Sequence, residues 1–395
     1  MRNECVAILD IRSDEISFLL GSKGVNGTFV FSGMQSEKYE GYCLDGFFDE
    51  DSFRRAVVRA ISAVQQTYGG TIGEIYVGVP SPFVTVVTKG HTASFPRKRK
   101  LSAQDIDALY ESGMNDLLAQ GKCIRRSAMY FTLGDNRKYF SQEDLYGVPT
   151  NMLKGALCYY FVSEYFYDLV KNLLGDMGFA DVKFVPSTLA QAYYLLPQKK
   201  REGYAFLLDI GFMTSSISVV YGNGIVHEEN FNCGVGSVLV ELIEMLGVDY
   251  PVAEELLENA NISGGTVPKE MAYVSELDEK SFPVQKVNDI IKYALDELCE
   301  RVDVFLRKYY KDKTFVMASA NPISVTGEGI GMIKGATEHI AKRVSWLTET
   351  VYPELPYYDK PTCSSRIALL STALSEQTEK GWLRKIFNRL GGKKK

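Results

Sequence analysis

The sequence predicts an α/β protein built from two similar domains that face each other across a cleft. With 395 residues the chain is too long for one ordinary hydrophobic core, which indicates at least two domains. Short apolar strands alternate with amphipathic helices, a pattern typical of mixed sheets covered by helices. An opening of three short strands occurs twice, which indicates a duplicated fold. The predicted strands are Val6–Leu9, Ser17–Leu20 and Phe29–Gly33 in the first half, and Tyr204–Leu208, Ser215–Tyr221 and Gly224–Asn230 in the second.

Each set of strands is followed by segments whose apolar residues recur at helical spacing. In the first half, residues Asp51–Tyr68 carry apolar side chains at helical spacing, and strand Ile75–Val79 follows and ends at Pro80. Further predicted elements of this half are helix Ala103–Leu118, strands near Ser127–Leu133 and Gly155–Val162, helix Glu164–Met177, strand Lys183–Val185 and helix Pro186–Leu196. In the second half they are helices Gly236–Met245, Val252–Asn259 and Val287–Tyr309, strand Pro322–Thr326, a glycine-rich turn and helix Ala336–Trp346.

The composition is that of a globular protein, with 46% apolar and 24% charged residues. Seven cysteines without a CxxC pair and only three histidines disfavour both a disulfide scaffold and a zinc site. No run of eighteen apolar residues and no signal peptide occur, so we expect a cytosolic body. The negative charge of that body argues against nucleic acid as a partner.

An aspartate ends the first strand of each half, namely Asp10 and Asp209. Tight turns follow both residues, and two such hairpins facing each other can hold a triphosphate, because turn N–H groups bind phosphate oxygens. The two carboxylates can hold water around Mg²⁺. A third element, Thr326–Gly331, has small residues that would let a nucleotide approach a strand-to-helix turn.

The last fifteen residues form a charge-segregated tail. At 100° per residue, its apolar side chains share one arc of roughly 140°, with basic side chains opposite. The tail holds six of the 44 Lys and Arg residues and no acidic side chain, so residues 1–381 carry a net charge of −11. This pattern predicts a helix lying on an anionic membrane surface rather than one docked on the body. The predicted membrane-binding residues are Trp382, Leu383, Arg384, Lys385, Ile386, Phe387, Arg389, Leu390, Lys393, Lys394 and Lys395.

Three segments, AILDIRS, FLLDIGFMTSSISVV and PISVTGEGIGMIKGA, resemble in their order the actin, sugar-kinase and heat-shock ATPase superfamily. Within it, the chain resembles the FtsA family of bacterial cell-division proteins over nearly its whole length. The resemblance implies an actin-like duplicated ribonuclease-H-type fold with an FtsA-type insertion. The implied subdomains are 1A (1–83 and 163–197), the insertion 1C (84–162), 2A (198–235 and 301–374) and 2B (236–300), followed by a short linker and membrane-targeting helix (375–395).

The resemblance also implies partners and a location. The protein would anchor polymers of the tubulin-like FtsZ to the cytoplasmic face of the cell membrane at the division site, and it would self-associate into filaments. Subdomain 2B would receive the FtsZ C-terminal peptide, and its Glu-rich stretch suits a basic, apolar peptide, although an exposed acidic helix explains the same composition.

The nucleotide motifs depart from the family pattern together. Arg12 and Ser13 stand where the family has Gly-Thr, and Phe212 and Met213 replace glycines of the second phosphate turn. A bulky side chain hinders close backbone approach to phosphate, and Glu328 would repel it, although Arg12 could contact phosphate directly. We therefore expect weak binding of ATP and Mg²⁺ or none, and little or no ATPase activity. The candidate nucleotide-binding residues are Asp10, Arg12, Ser13, Asp209, Gly211, Thr214, Ser215, Glu254, Gly327 and Gly329.

Two alternatives remain open. An actin-like assembly protein of a pilus or secretion system shares the fold and the insertion, and the amphipathic tail argues against it without deciding. A small-molecule kinase of the same superfamily would need a catalytic carboxylate near the phosphates and a substrate pocket, and no convincing candidate for either occurs in the sequence.

Overall fold

The computed structural model describes residues 5–391 except 71, 136, 265–267, 269–270, 278 and 311–320, with the side chains of 118, 119, 310 and 379–391 not described. The strands are β1 (Val6–Ile11), β2 (Glu15–Lys23), β3 (Phe29–Lys38), β4 (Tyr42–Cys43), β5 (Gly46–Phe47), β6 (Glu74–Val79), β7 (Val84–Lys100), β8 (Lys122–Thr132), β9 (Pro149–Val162), β10 (Asp181–Pro186), β11 (Ala205–Ile210), β12 (Ser215–Tyr221), β13 (Gly224–Phe231), β14 (Ala272–Val274), β15 (Ser281–Pro283), β16 (Ile323–Thr326) and β17 (Thr348–Thr350). The helices are α1 (Glu50–Thr67), α2 (Ala103–Met114), α3 (Glu164–Asp176), α4 (Ser187–Leu195), α5 (Gln198–Arg201), α6 (Val235–Leu246), α7 (Tyr250–Asn259), α8 (Val284–Tyr310), α9 (Glu328–Met332), α10 (Ala336–Val344) and α11 (Ser364–Gly391).

Two five-stranded sheets with the same topology form the centre of the molecule. The first has the order β10-β6-β1-β2-β3, and the second has the corresponding order β17-β16-β11-β12-β13. In each sheet the first three strands in sequence are antiparallel, and the two remaining strands are parallel to the first. The predicted duplication is therefore confirmed, and it makes β11 the counterpart of β1.

Helices cover both sheets, which explains why the central strands are buried and mainly apolar. Every residue of β1 is buried. In the first domain, helices α1 and α3 pack on one face of the sheet, and α4 and α11 pack on the other. In the second domain, the long helix α8 packs with α6 and α10 in one large core.

The insertion of the first domain is a three-stranded antiparallel sheet, β7-β9-β8, with α2 packed on it. Its sheet also contacts β13 of the second domain. At this contact the Ile225 N–H donates to Tyr160 Oη at 3.0 Å, and the Asn223 side-chain amide donates to the Phe140 carbonyl at 2.6 Å. The insertion thus joins the two domains at a distance from the cleft.

A glycine makes the closest part of that contact. Gly222, in the turn between β12 and β13, has φ +56°, a conformation that favours glycine. A Cβ at this position would lie 1.7 Å from the carbonyl oxygen of Met129. Beside it, Lys138 Nζ donates to Tyr221 Oη at 2.5 Å.

Helix α11 begins beside the cleft and runs along the first domain. Leu369 and Leu370 are fully buried, and Leu370 lies so close to Gly21 that a Cβ there would meet its methyl group at 2.6 Å. Further along, Glu376 forms an ion pair with Arg125 of the insertion. The segment predicted as a short linker and membrane-targeting helix (375–395) therefore begins inside this continuous helix.

The side chains of the predicted membrane-binding residues, Trp382 to Lys395, lie outside the described part of the structure. Among the described helices, none has the length and apolar content needed to cross a membrane.

Candidate functional site

The two aspartates occupy equivalent positions in the two sheets. Asp10 lies opposite Ser17 in the β1–β2 pair, and Asp209 lies opposite Ser216 in the β11–β12 pair. Asp209 lies close to Arg12 of the first domain, and Asp10 is buried beside the start of α11. Ser365 Oγ, at the start of α11, donates to Asp10 Oδ1 at 2.6 Å.

Around these aspartates, buried oxygens remain without hydrogen-bond partners. Gln191 Nε2 donates to Asp209 Oδ2 at 2.9 Å, but Asp10 Oδ2, Asp209 Oδ1 and Gln191 Oε1 are unpaired. Asp209 lines a cavity of about 50 Å³, whereas Asp10 and Gln191 are not among its lining residues. Burial raises the pKa of Asp10, and Arg12 only partly offsets this effect. A space of this size suits a few water molecules, or a cation held by carboxylate and amide oxygens. Of the two residues predicted for Mg²⁺, Asp209 lines this space and Asp10 does not.

An ion pair between the domains fills the adjacent part of the cleft. Arg12 Nε donates to Glu328 Oε2 at 3.1 Å, and its Nη2 lies 3.8 Å from Asp209 Oδ1. The Arg12 and Glu328 side chains are only 9% and 14% exposed. Burial lowers the pKa of Arg12, but Glu328 and Asp209 outweigh it and hold the pKa above its ordinary value. Arg12 is thus paired with carboxylates of the second domain.

The phosphate-type turn after β11 is also occupied by side chains of the protein itself. The Phe212 N–H donates to Glu328 Oε1 at 2.8 Å, and the Met213 N–H donates to Ser13 Oγ at 2.9 Å. The Gly211 N–H donates to the Thr214 carbonyl at 3.0 Å. These three N–H groups of the turn therefore have protein acceptors.

Close packing explains the glycine at the start of the third predicted element. Gly327 has φ +100°, and a Cβ there would lie 2.2 Å from Asp209 Oδ1. Gly329 is similarly tight, since its Cβ would meet the Ile210 side chain at 2.6 Å. These glycines bring α9 and Glu328 against the β11 turn. In this structure the two glycines permit close contact between segments of the protein.

Two cavities lie next to this turn. The one beside Asp209 has about 50 Å³, which is small compared with ligand pockets of about 300–1,000 Å³. A second cavity, of about 520 Å³, lies beyond Phe212 and Met213 along α6. Its wall is mainly apolar, and it includes Glu241 but no Lys or Arg among the described residues. Arg12 lines the first cavity, but its guanidinium is already paired with Glu328 and lies near Asp209.

The remaining predicted residues divide into two groups. Thr214 and Ser215 line the small cavity, and Ser215 Oγ donates to the Cys233 carbonyl at 2.5 Å. Glu254 lies on α7, where Tyr250 Oη donates to it at 3.4 Å, and it does not line that cavity.

Sequence reasoning did not single out Gln191 or Ser365, which contact the two aspartates. Gln191 lies in the predicted helix Pro186–Leu196, whereas no element was predicted around Ser365. In the structure both residues lie in the first two turns of a helix, α4 and α11 respectively. Sequence reasoning also treated Glu328 as a residue that repels phosphate, and it did not identify Glu328 as the partner of Arg12.

Comparisons with known proteins support the architecture. No protein-family model and no curated protein matches the sequence. Among solved structures, the chain is similar to a PilM–PilN type IV pilus biogenesis complex, with 11% identity and a TM-score of 0.61 over 95% of this chain and 99% of the other. MreB5 of Spiroplasma citri bound to AMPPNP has 8% identity and a TM-score of 0.56, and the match covers 96% of this chain and 100% of the other. A diol dehydratase-reactivating factor in nucleotide-free form has 9% identity and a TM-score of 0.52, and the match covers 94% of this chain and 100% of the other.

These similarities establish the predicted fold class: the chain has an α/β, two-domain actin-like fold. At such low identity they establish the fold alone.

Proposed function

We propose that this protein is a membrane-tethered actin-like scaffold of bacterial cell division, which anchors FtsZ polymers and works without a nucleotide cycle. The observation that carries the proposal is the Arg12–Glu328 ion pair, because it joins the two domains where a nucleotide would otherwise do so. A body closed by its own side chains is suited to holding partners together. It is poorly suited to phosphoryl transfer, which disfavours the small-molecule kinase.

The partner surface is assigned to subdomain 2B, residues 236–300. Its described part exposes several large apolar side chains, among them Leu277 and Tyr293, each more than 60% exposed. Exposed apolar side chains near acidic ones suit a peptide that is both apolar and basic. Self-association into filaments is part of the same proposal.

Membrane attachment is tested by sedimentation with anionic liposomes. Full-length protein should pellet with vesicles rich in phosphatidylserine or phosphatidylglycerol, and protein ending at Glu379 should stay in the supernatant. Neutral phosphatidylcholine vesicles are the control, since basic residues add about 1 kcal/mol each only on an anionic surface. Equal pelleting of the two proteins would reject the tether.

The nucleotide question is tested by calorimetry. Titration of the intact protein with Mg-ATP should give no binding heat at micromolar concentrations, because Glu328 and Ser13 already occupy the turn N–H groups. In Glu328→Ala that occupation is lost, and weak binding is expected to appear. Micromolar affinity of the unaltered protein would contradict the proposal.

A second candidate is an assembly protein of a pilus or secretion system. The observation in its favour is the similarity to the PilM–PilN type IV pilus biogenesis complex over nearly the whole of both chains. A pull-down with the FtsZ C-terminal peptide separates the two, with a charge-reversed peptide as control. Membrane binding without capture of the FtsZ peptide would favour the pilus or secretion system.

A further inference from the structure

Three side chains outside the cleft bring nitrogen, oxygen and sulfur atoms together on the second domain. Asp296 and Cys299 lie three residues apart on α8, which places them on the same side of the helix. His339 comes from α10, which packs against α8. Their potential ligand atoms all lie within 4.8 Å of one another, and no other group of three such side chains does so in the described part of the chain.

We propose that Asp296, Cys299 and His339 form a binding site for a divalent transition metal of the zinc type. One carboxylate, one thiolate and one imidazole are ligands that zinc accepts, and the sulfur disfavours Mg²⁺ and Ca²⁺. Three protein ligands would leave a fourth position for water or for a partner's side chain. The proposal does not depend on the cleft or on the proposed scaffold function.

The hydrogen bonds of the site show what metal binding must change. Asp296 Oδ1 lies 2.8 Å from His339 Nε2 and accepts from Arg343 Nε, also at 2.8 Å. A metal bound to both residues requires the proton on Nδ1 of the imidazole and an N···O separation of about 3.3 Å, from bonds of about 2.0 Å each. The side chains would therefore move by about 0.5 Å, and Arg343 would keep the carboxylate in place, as outer partners of metal ligands do.

The thiol of Cys299 bears on how many protons are released when a metal binds. Cys299 is buried, and a thiol must lose its proton to bind a metal. Metal binding replaces the S–H bond with an S–metal bond and releases that proton to the buffer. The thiol therefore contributes one released proton for each metal bound.

An open cavity gives access to Asp296 from solvent. It measures about 290 Å³, and three glutamates, Glu241, Glu297 and Glu300, line it together with Asp296. A cleft lined by one sign of charge raises the local concentration of the opposite ion. The negative charge around this opening would therefore attract divalent cations to Asp296, the ligand that lines the cavity.

Cobalt spectroscopy of the full-length protein provides the test. After treatment with EDTA, the protein is titrated with Co²⁺, and we expect one equivalent to produce a thiolate-to-cobalt charge-transfer band that Zn²⁺ then abolishes. The same titration in two buffers of different ionisation enthalpy should report one proton released. Absence of the charge-transfer band in the unaltered protein would overturn the proposal and leave a structural Asp–His–Arg network.

Variants identify the ligands. Cys299→Ser should lose the band, whereas Cys233→Ser, which alters another buried thiol of the same core, should retain it. His339→Gln should weaken cobalt affinity by at least about tenfold. Circular dichroism checks that each variant is folded. If Cys299→Ser does not fold, the cobalt affinity of His339→Gln becomes the deciding measurement. A band that survives in Cys299→Ser, or unchanged affinity in His339→Gln, would reject this set of ligands.

Discussion

Arg12 is the residue on which the closed cleft depends most directly. It belongs to the first domain, yet its partners Glu328 and Asp209 both belong to the second. Removing one member of a buried ion pair leaves the other charge without compensation, which costs about 3–5 kcal/mol in other proteins. Single substitutions here should therefore affect the association of the domains as well as local packing.

A double-mutant cycle measures this dependence. We expect Arg12→Met and Glu328→Gln to be non-additive, with a coupling energy of about 1–3 kcal/mol in urea unfolding. The exposed pair Arg59–Glu37, with its N–O distance of 3.0 Å, is the matched control and should couple by less than about 1 kcal/mol. Additive effects at Arg12 and Glu328 would mean that the pair contributes nothing to stability.

Asp14, in the same turn as Arg12, should make stability depend on pH. Burial and the nearby Glu328 raise its pKa to about 7, above the ordinary value of 3.8. Because the folded state then binds the proton more tightly than the unfolded state, stability falls as pH rises from about 4 to 7. The free energy of unfolding should decrease across this window. In Asp14→Asn this decrease should be smaller. In Asp51→Asn, which alters an exposed aspartate, the decrease should be the same as in the unaltered protein.

At the scale of elements, the insertion is a second connection between the domains. The turn between β12 and β13 fits against β8 only because Gly222 has no side chain. Hydrogen bonds from Ile225 and Asn223 continue the contact. The insertion therefore restrains the second domain at a place remote from the Arg12–Glu328 pair.

Gly222→Ala should loosen this connection. The positive φ alone costs roughly 1–2 kcal/mol for a residue with a Cβ, and the clash with Met129 adds to it. We expect a lower melting temperature and faster hydrogen exchange in β8, β12 and β13. Gly90→Ala, in strand β7 of the same insertion, has open space around its Cβ and should behave as the unaltered protein does. Unchanged exchange in Gly222→Ala would show that the contact is not needed.

At the scale of the whole molecule, two independent connections should make the domains unfold together. Calorimetry of the intact protein should give one transition, whose position does not change with Mg-ATP. Combining Gly222→Ala with Glu328→Gln removes part of both connections and should separate the transition into two. Two transitions in the unaltered protein would contradict the idea of a single closed body.

The sequence predicted the architecture well because the relevant signals are local. Apolar runs such as β1 and β11 identify buried strands, and their terminal aspartates mark the sheet edge that faces the cleft. Two-residue strands such as β4 and β5 are too short to show a period.

Contacts between distant segments were not predictable in this way. Arg12 and Glu328 are 316 residues apart, and His339 and Asp296 are 43 residues apart on different helices, so no spacing in the sequence reveals either pair. The sequence-based expectation against zinc considered only neighbouring cysteines and histidines.

The continuity of α11 has a mechanical consequence. Its first turn holds Asp10 through Ser365, and the helix then runs without interruption for 28 residues to Gly391. At 1.5 Å per residue this is a rod of about 42 Å. A pulling force on its far end would not be absorbed by a slack tether. It would be carried along the helix to the interdomain cleft, where it would act on the contact between the two domains.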